Sequence, residues 1–125
     1  MTLKELYEQI GGDYEQALRV LRMDKLIDKH IRKLPKGGVA DALIAAGGTM
    51  DPTQLFETAH AVKGVCGNLG LTKMAEAASE ITEEFRPGSS RKLSDEEIGE
   101  RIRAFSELYA QAREGIERYE AESAQ

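Results

Sequence analysis

The sequence predicts an all-α fold, an antiparallel four-helix bundle with additional short helices at its N-terminus. Apolar residues recur at spacings of four and three over residues 55–69 and again over residues 98–119, which places them on one face of a helix. Ser94 and Glu97 form a capping box, a typical helix start, directly before the second stripe. That stripe spans roughly six helical turns and needs partner helices of similar length. No segment alternates apolar and polar residues as a strand does.

Residues 1–50 are predicted to form several short helices. Capping and helix-breaking residues mark their boundaries: Thr2 with Glu5, Gly11-Gly12, Asp13, Asp24, Pro35 and Gly47-Gly48. Pro35 ends the third of these helices, because its ring clashes with the preceding turn. Gly47-Gly48 is expected to close the fourth, which starts near Val39.

Residues 51–86 are predicted to form a helical hairpin. Asp51-Pro52 combines a capping side chain with a proline at the first helical position, so it marks a helix start. This helix runs to about Gly67, and the short connection that follows makes the next helix fold back antiparallel. The glutamates of the second helix are expected on a solvated face: Glu76, Glu80, Glu83 and Glu84. A last helix is expected over residues 94–121, with fraying over residues 121–125.

Length, charge and cysteine content limit the classes of function. The chain has 125 residues, the size of one domain, and a net charge of −5, which argues against a nucleic-acid partner. No apolar run approaches the ~18 residues of a membrane span. The single cysteine, Cys66, excludes an internal disulfide and has no partner at metal-ligand spacing. We therefore expect a monomeric, cytoplasmic protein with one domain over residues 1–125 and no metal site.

His60 lies on a second face of the first hairpin helix, away from the apolar stripe. On a helical wheel with Leu55 at zero, His60 falls at about 140° and Lys63 at about 80°. Gly64 and Gly67 follow one and two turns later on the same side. Each glycine inside a helix costs about 0.5–1 kcal/mol relative to alanine. Because these glycines do not point at the apolar stripe, we interpret them as clearing the surface around a reactive, exposed imidazole.

The run His60-x-x-Lys63-Gly64, followed by Gly67 and Gly70, resembles the motif of histidine-containing phosphotransfer (HPt) domains. HPt domains are four-helix bundles that relay phosphoryl groups between the aspartates of receiver domains. The resemblance implies that His60 accepts and donates a phosphoryl group on Nε2. It also implies that Lys63 offers a positive charge to the phosphoryl oxygens. The protein would then be a phosphohistidine carrier, an intermediate in a phosphorelay rather than a stand-alone enzyme.

The resemblance covers roughly residues 51–85 and implies the partners as well. These would be receiver domains, one of a hybrid sensor kinase and one of a downstream regulator, docked around His60 on Gly64, Gly67 and Phe56. The receiver would supply the Mg²⁺ ion and the acidic pocket that hold its aspartyl phosphate. No cofactor of the chain's own is therefore expected.

Several residues keep an alternative interpretation. Phe56 can belong to the core or to the docking surface, and Gly70 can be a turn residue. His30 also has a lysine three residues later, Lys33, but it lies on the apolar face of its helix, so we interpret it as a partly buried packing residue. The sequence has neither the length nor the Gly-rich nucleotide loop of a full histidine kinase. The isolated phosphotransfer module of a chemotaxis-type kinase remains an alternative, because it shares the motif. The main alternative for the whole protein is a non-catalytic helical adaptor that binds a receiver domain without phosphotransfer.

Overall fold

The structure is a computed structural model, and it describes residues 1–123. These residues form helices joined by turns and loops, with no strand among them, which confirms the all-α prediction. Seven helices lie in this described range: α1 (Leu3–Ile10), α2 (Tyr14–Leu21), α3 (Asp24–Lys33), α4 (Val39–Thr49), α5 (Pro52–Asn68), α6 (Thr72–Glu84) and α7 (Asp95–Ser123).

The four longest helices, α4 to α7, form the bundle. α5 packs against α4 and α6, and α7 closes the ring by packing against the same two helices. α1 lies on α7, while α2 packs against α3 and α5. The motif helix α5 is therefore held along its sides by α4 and α6 and is contacted by α2 as well.

The apolar stripes of α5 and α7 are buried as predicted. The α5 stripe is at most 2% exposed and consists of Leu55, Ala59, Val62, Cys66 and, just after the helix, Leu69. The α7 stripe is at most 7% exposed and consists of Ile98, Ile102, Phe105, Tyr109, Ala112, Ile116 and Tyr119. The two stripes contribute to one shared core, and this burial fixes which face of each helix remains accessible.

Capping groups fix the helix starts that the sequence marks. Ser94 and Glu97 exchange two hydrogen bonds between side chain and backbone N–H, each 3.1 Å, at the start of α7. At the start of α5, the Asp51 carboxylate accepts a hydrogen bond of 3.0 Å from a backbone N–H of the first turn. The predicted caps Thr2 and Asp13 are also present. These capping predictions are confirmed.

The predicted end of α4 is wrong. The helix continues through Gly47-Gly48 to Thr49, and Met50 follows in the left-handed conformation with a φ of 58°. A Cβ atom on Gly47 would lie 2.9 Å from the Cγ2 atom of Ile102 on α7. Gly47 therefore permits the close approach of two packed helices and does not terminate α4.

α7 is longer than predicted. It is helical through Ser123, the last residue described, although fraying was predicted from residue 121. The Ser123 hydroxyl donates a 2.8 Å hydrogen bond to the carbonyl of Tyr119, four residues earlier in the same helix. The rest of that prediction concerns residues 124–125, which lie outside the described residues.

Gly70 fixes the turn between α5 and α6 against the start of α2. Its φ of 69° is a left-handed conformation that side chains with a Cβ rarely adopt. Its carbonyl accepts a 2.7 Å hydrogen bond from the Asp13 N–H, and a Cβ atom on Gly70 would overlap the Asp13 carbonyl oxygen. Beside it, the Tyr7 hydroxyl donates a 2.7 Å hydrogen bond to the Leu69 carbonyl. The turn interpretation of Gly70 is confirmed, and these contacts hold the C-terminal end of α5.

Candidate functional site

The solvent-facing side of α5 carries His60. Its neighbours Ala59 and Val62 are fully buried in the bundle, so the helical period turns the His60 side chain outward, where it is exposed. Gly64, one turn later, is exposed as well. A helix that is packed on its other faces therefore leaves this imidazole exposed to solvent.

Phe56, one turn before His60, is half-buried and packs against the core. Its ring stacks with the imidazole of His60, with 5.7 Å between the ring centroids and 24° between the ring planes. The guanidinium carbon of Arg86 lies 5.7 Å from the centroid of the same Phe56 ring. Phe56 therefore contributes to the core and also stacks on the histidine, while its part in a docking surface stays a prediction.

Lys63, one turn after His60, is half-buried beside α6. It lines a cleft of about 450 Å³ together with residues of α2 and α6, and Gly67 lines the same cleft. Across residues 1–123, no carboxylate forms an ion pair with the Lys63 ammonium group. Hydrogen bonds from Arg86 lower the pKa of Glu83 below its usual value, and the charge of Lys63 lowers it further. Because Lys63 stands three residues after His60 on the same helix, it places a positive charge within one helical turn of the imidazole.

Neither Gly64 nor Gly67 is needed for close packing among residues 1–123. A Cβ atom built on either residue would meet no atom within 4 Å beyond its own stretch of helix. Gly47 and Gly70 differ, since a Cβ atom on either of them would collide with a neighbouring element. Packing among the described residues therefore does not require glycine at either position near His60.

The prediction that His30 is partly buried is wrong, because its side chain is exposed. Ile27 and Ile31 on the same helix are fully buried and take the core side of α3. His30 lies on the flank of that stripe, at a groove of about 360 Å³ that Lys33 and Val65 also line. No helix covers this groove among residues 1–123, so the imidazole stays accessible.

The sequence interpretation missed the ion pair that lies beside Phe56. Arg86, just after α6, donates two hydrogen bonds to the carboxylate of Glu83, from Nη2 at 2.8 Å and from Nε at 3.1 Å. Glu83 was expected only to face solvent. The spacing of three residues could have suggested the pair, but its position next to Phe56 depends on how α5 and α6 pack.

Another glutamate of α6 also has a specific role. The Glu84 carboxylate accepts backbone N–H groups of Lys92 and Leu93, at 3.0 and 2.9 Å, and so holds the loop before α7. Glu84 is half-buried rather than fully solvated. The interpretation of this residue as part of a solvated face is therefore wrong.

Cys66 and the acidic residues offer no second site. Burial raises the pKa of the Cys66 thiol to about 12, so the thiol is protonated at neutral pH. Among the described residues, no group of three or more histidine, cysteine, aspartate or glutamate side chains is arranged to hold a metal ion. The chemistry of the described surface therefore centres on the two exposed histidines.

Comparison with known proteins assigns the family. The family model described as "Hpt domain" matches residues 5–115, which is most of the chain. The chain therefore belongs to the Hpt domain family, whose members take part in phosphotransfer in two-component phosphorelays and interact with receiver domains. No curated protein and no solved structure matches the chain. None of the helices within residues 1–123 combines the length and apolar character that crossing a membrane requires.

Proposed function

We propose that this protein accepts and donates a phosphoryl group on His60, between the aspartates of receiver domains in a two-component phosphorelay. The observation that carries the proposal is the exposed imidazole on α5, with Lys63 one turn away and Gly64 open beside it. His30 has a similar exposure and a lysine at the same spacing. It lacks the glycine directly after the lysine, because Leu34 and Pro35 follow Lys33 where Gly64 follows Lys63.

The proposed transfer is a substitution at phosphorus. A neutral imidazole has one nitrogen with a free lone pair near pH 7. This lone pair forms the N–P bond while the P–O bond to the receiver aspartate breaks and its electron pair returns to the carboxylate. The other ring nitrogen keeps its hydrogen, so the phosphorylated ring is positively charged until that proton leaves. Transfer to a second receiver reverses these steps.

The residues around His60 have supporting roles in this proposal. Lys63 offers its ammonium group to the phosphoryl oxygens. Gly64 and Gly67 leave room for the receiver, and the exposed part of Phe56 contributes apolar contact area. The receiver supplies the Mg²⁺ ion and acidic pocket that hold the acyl phosphate. The two receivers belong to a hybrid sensor kinase and to a downstream regulator.

The test is phosphotransfer from a panel of phosphorylated receiver domains to the intact chain, to His60→Gln and to His30→Gln. We expect an acid-labile, base-stable label on the intact chain and on His30→Gln, and none on His60→Gln. His30→Gln is a matched control, since it removes the other exposed imidazole. A label that survives in His60→Gln would refute the assignment of the acceptor. Binding of receivers without any label would replace the proposal with the adaptor function.

A further inference from the structure

One carboxylate, that of Glu83, faces the positive charges around the His60–Phe56 pair. It accepts both hydrogen bonds of the Arg86 guanidinium, which in turn lies over the Phe56 ring. The same ring stacks with the imidazole of His60, so Phe56 contacts both the arginine and the histidine. The arrangement places a cation one side chain away from the proposed phosphorylation site and pairs it with a negative charge.

Lys63 lies toward the same part of α6, because it lines a cleft with Ser79, one helical turn before Glu83. The pKa of Glu83 is lowered first by the hydrogen bonds from Arg86, and the charge of Lys63 adds to this effect. A phosphoryl group on His60 would bring two negative charges into the region of Lys63 and Arg86. Glu83 and the phosphoryl group would then attract the same two cations.

We propose that Glu83 is a positioning residue. While His60 is unmodified, Glu83 holds Arg86 and attracts Lys63. Once His60 is phosphorylated, Glu83 competes with the phosphoryl group for both cations. The inference rests on the proposed function of His60. Its consequence is that Glu83 limits how strongly the protein retains its phosphoryl group. A carrier has to release the group to the next receiver, and a competing carboxylate keeps phosphohistidine from becoming a stable end point.

The expected effect is modest, because the groups are accessible to water. The Arg86 and Glu83 side chains are 42% and 56% exposed, and ion pairs of this kind are screened by solvent. We expect removal of the Glu83 charge to raise the equilibrium ratio of the fully ionised to the singly protonated phosphoryl group by about two- to fivefold. The effect should shrink at about 1 M salt, where the screening length is about 3 Å.

The test uses phosphoramidate, a small donor that phosphorylates accessible imidazoles without any protein partner and loses ammonia as its P–N bond breaks. ³¹P NMR then follows the titration of the phosphoryl group on the full chain with pH. In Glu83→Gln, we expect the titration midpoint of phosphorylated His60 to fall by about 0.3–0.7 pH unit. In Arg86→Gln it is expected to rise. Phosphorylated His30, which lies on α3, is an internal control that should not move.

Two further variants separate competition from a simple surface effect. Glu80→Gln removes a charge one turn earlier on α6, where the carboxylate pairs with Arg101, and it should leave the midpoint of phosphorylated His60 unchanged. In the Arg86→Gln background, Glu83→Gln should shift the midpoint less than in the native chain. An equal shift in both backgrounds, or no shift with Glu83→Gln alone, would overturn the inference.

The outcomes of this experiment and of the receiver panel distinguish a failure of the inference from a failure of the proposed function. Absence of transfer from receivers would remove the proposed function, while the titration with phosphoramidate would still decide the role of Glu83. An unchanged titration in Glu83→Gln would remove only the inference. Failure of phosphoramidate to label His60 would overturn both, since the proposed function needs this imidazole to be reactive.

Discussion

Gly64 occupies an exposed position in the middle of α5, where a Cβ atom would meet no atom within 4 Å beyond its own stretch of helix. Alanine is favoured over glycine in a helix interior by about 0.5–1 kcal/mol. Because no contact at Gly64 opposes this preference, Gly64→Ala is expected to stabilise the protein by that amount. For a chain of 125 residues the melting temperature should rise by about 2–5 °C.

The same substitution is expected to slow phosphotransfer. Gly64 lies one turn beyond His60 on its side of the helix, so a methyl group there would stand between the imidazole and a docked receiver. Gly64→Glu should block docking by adding both bulk and negative charge. The assay pairs thermal unfolding, followed by circular dichroism at 222 nm, with the rate of label transfer from one phosphorylated receiver.

Gly99 supplies the matched control. It lies inside α7, across the bundle from α5, and a Cβ atom there would also meet nothing within 4 Å. Gly99→Ala should therefore stabilise the protein to a similar extent and leave transfer unchanged. A Gly64→Ala variant that is more stable but transfers phosphate at the native rate would refute our interpretation of the bare surface. A less stable variant would refute the helix argument.

Three further predictions follow from other parts of the structure. Gly70→Ala should lower the free energy of unfolding by about 2–4 kcal/mol, because the positive φ of Gly70 and the overlap with the Asp13 carbonyl both disfavour a Cβ atom. An unchanged urea midpoint of unfolding would contradict this prediction. Lys63→Gln should slow label transfer to His60 by about tenfold at low salt and by less at high salt. Lys33→Gln should leave the transfer rate unchanged. Equal transfer rates in the two variants would remove Lys63 from the site. Stability should fall as the pH rises from about 8.5 to 12, because cysteine and tyrosine ionise near pH 8.5 and 10 in the unfolded chain. In the folded chain, burial raises the pKa of Cys66 to about 12, a hydrogen bond to Asp24 raises that of Tyr14 to about 12, and burial raises that of Tyr119 to about 12. Urea titrations across this pH range would measure the loss of stability. Cys66→Ala should reduce the loss near pH 8.5–10, where the unfolded thiol ionises. A free energy of unfolding that stays constant up to about pH 11.5 would contradict the prediction.

The alternation of buried and exposed residues along the helices could be predicted from the sequence, because it follows the helical period of about 3.6 residues. The apolar stripes of α5 and α7 are buried where the spacing of four and three places them. Capping boxes are equally local, since Ser94 and Glu97 satisfy each other within one turn. Such features depend on residues that are near in sequence, and the fold class follows from them.

The errors concern residues whose surroundings come from another element. His30 lies at the edge of an apolar stripe, and its exposure depends on the open groove between α3 and α5. Gly47 resembles a helix terminator until Ile102 of α7 is placed against it. The pairing of Arg86 with Glu83 is local, but its position over Phe56 requires the packed hairpin. Helix periodicity alone contains none of this information.

The glycines after His60 show how packing compensates for a helix that contains unfavourable residues. Gly64 and Gly67 together cost α5 about 1–2 kcal/mol relative to alanine, and an isolated helix of this length would be marginal even without them. In the bundle, the apolar stripe on the other side of α5 is buried against its neighbours, and Gly70 and Asp51 fix its two ends. Burial of one leucine alone contributes about 1.5–3 kcal/mol, which offsets the weakness of the exposed face. Since packing and end contacts determine the helix, its outer surface is free to be shaped by what approaches His60.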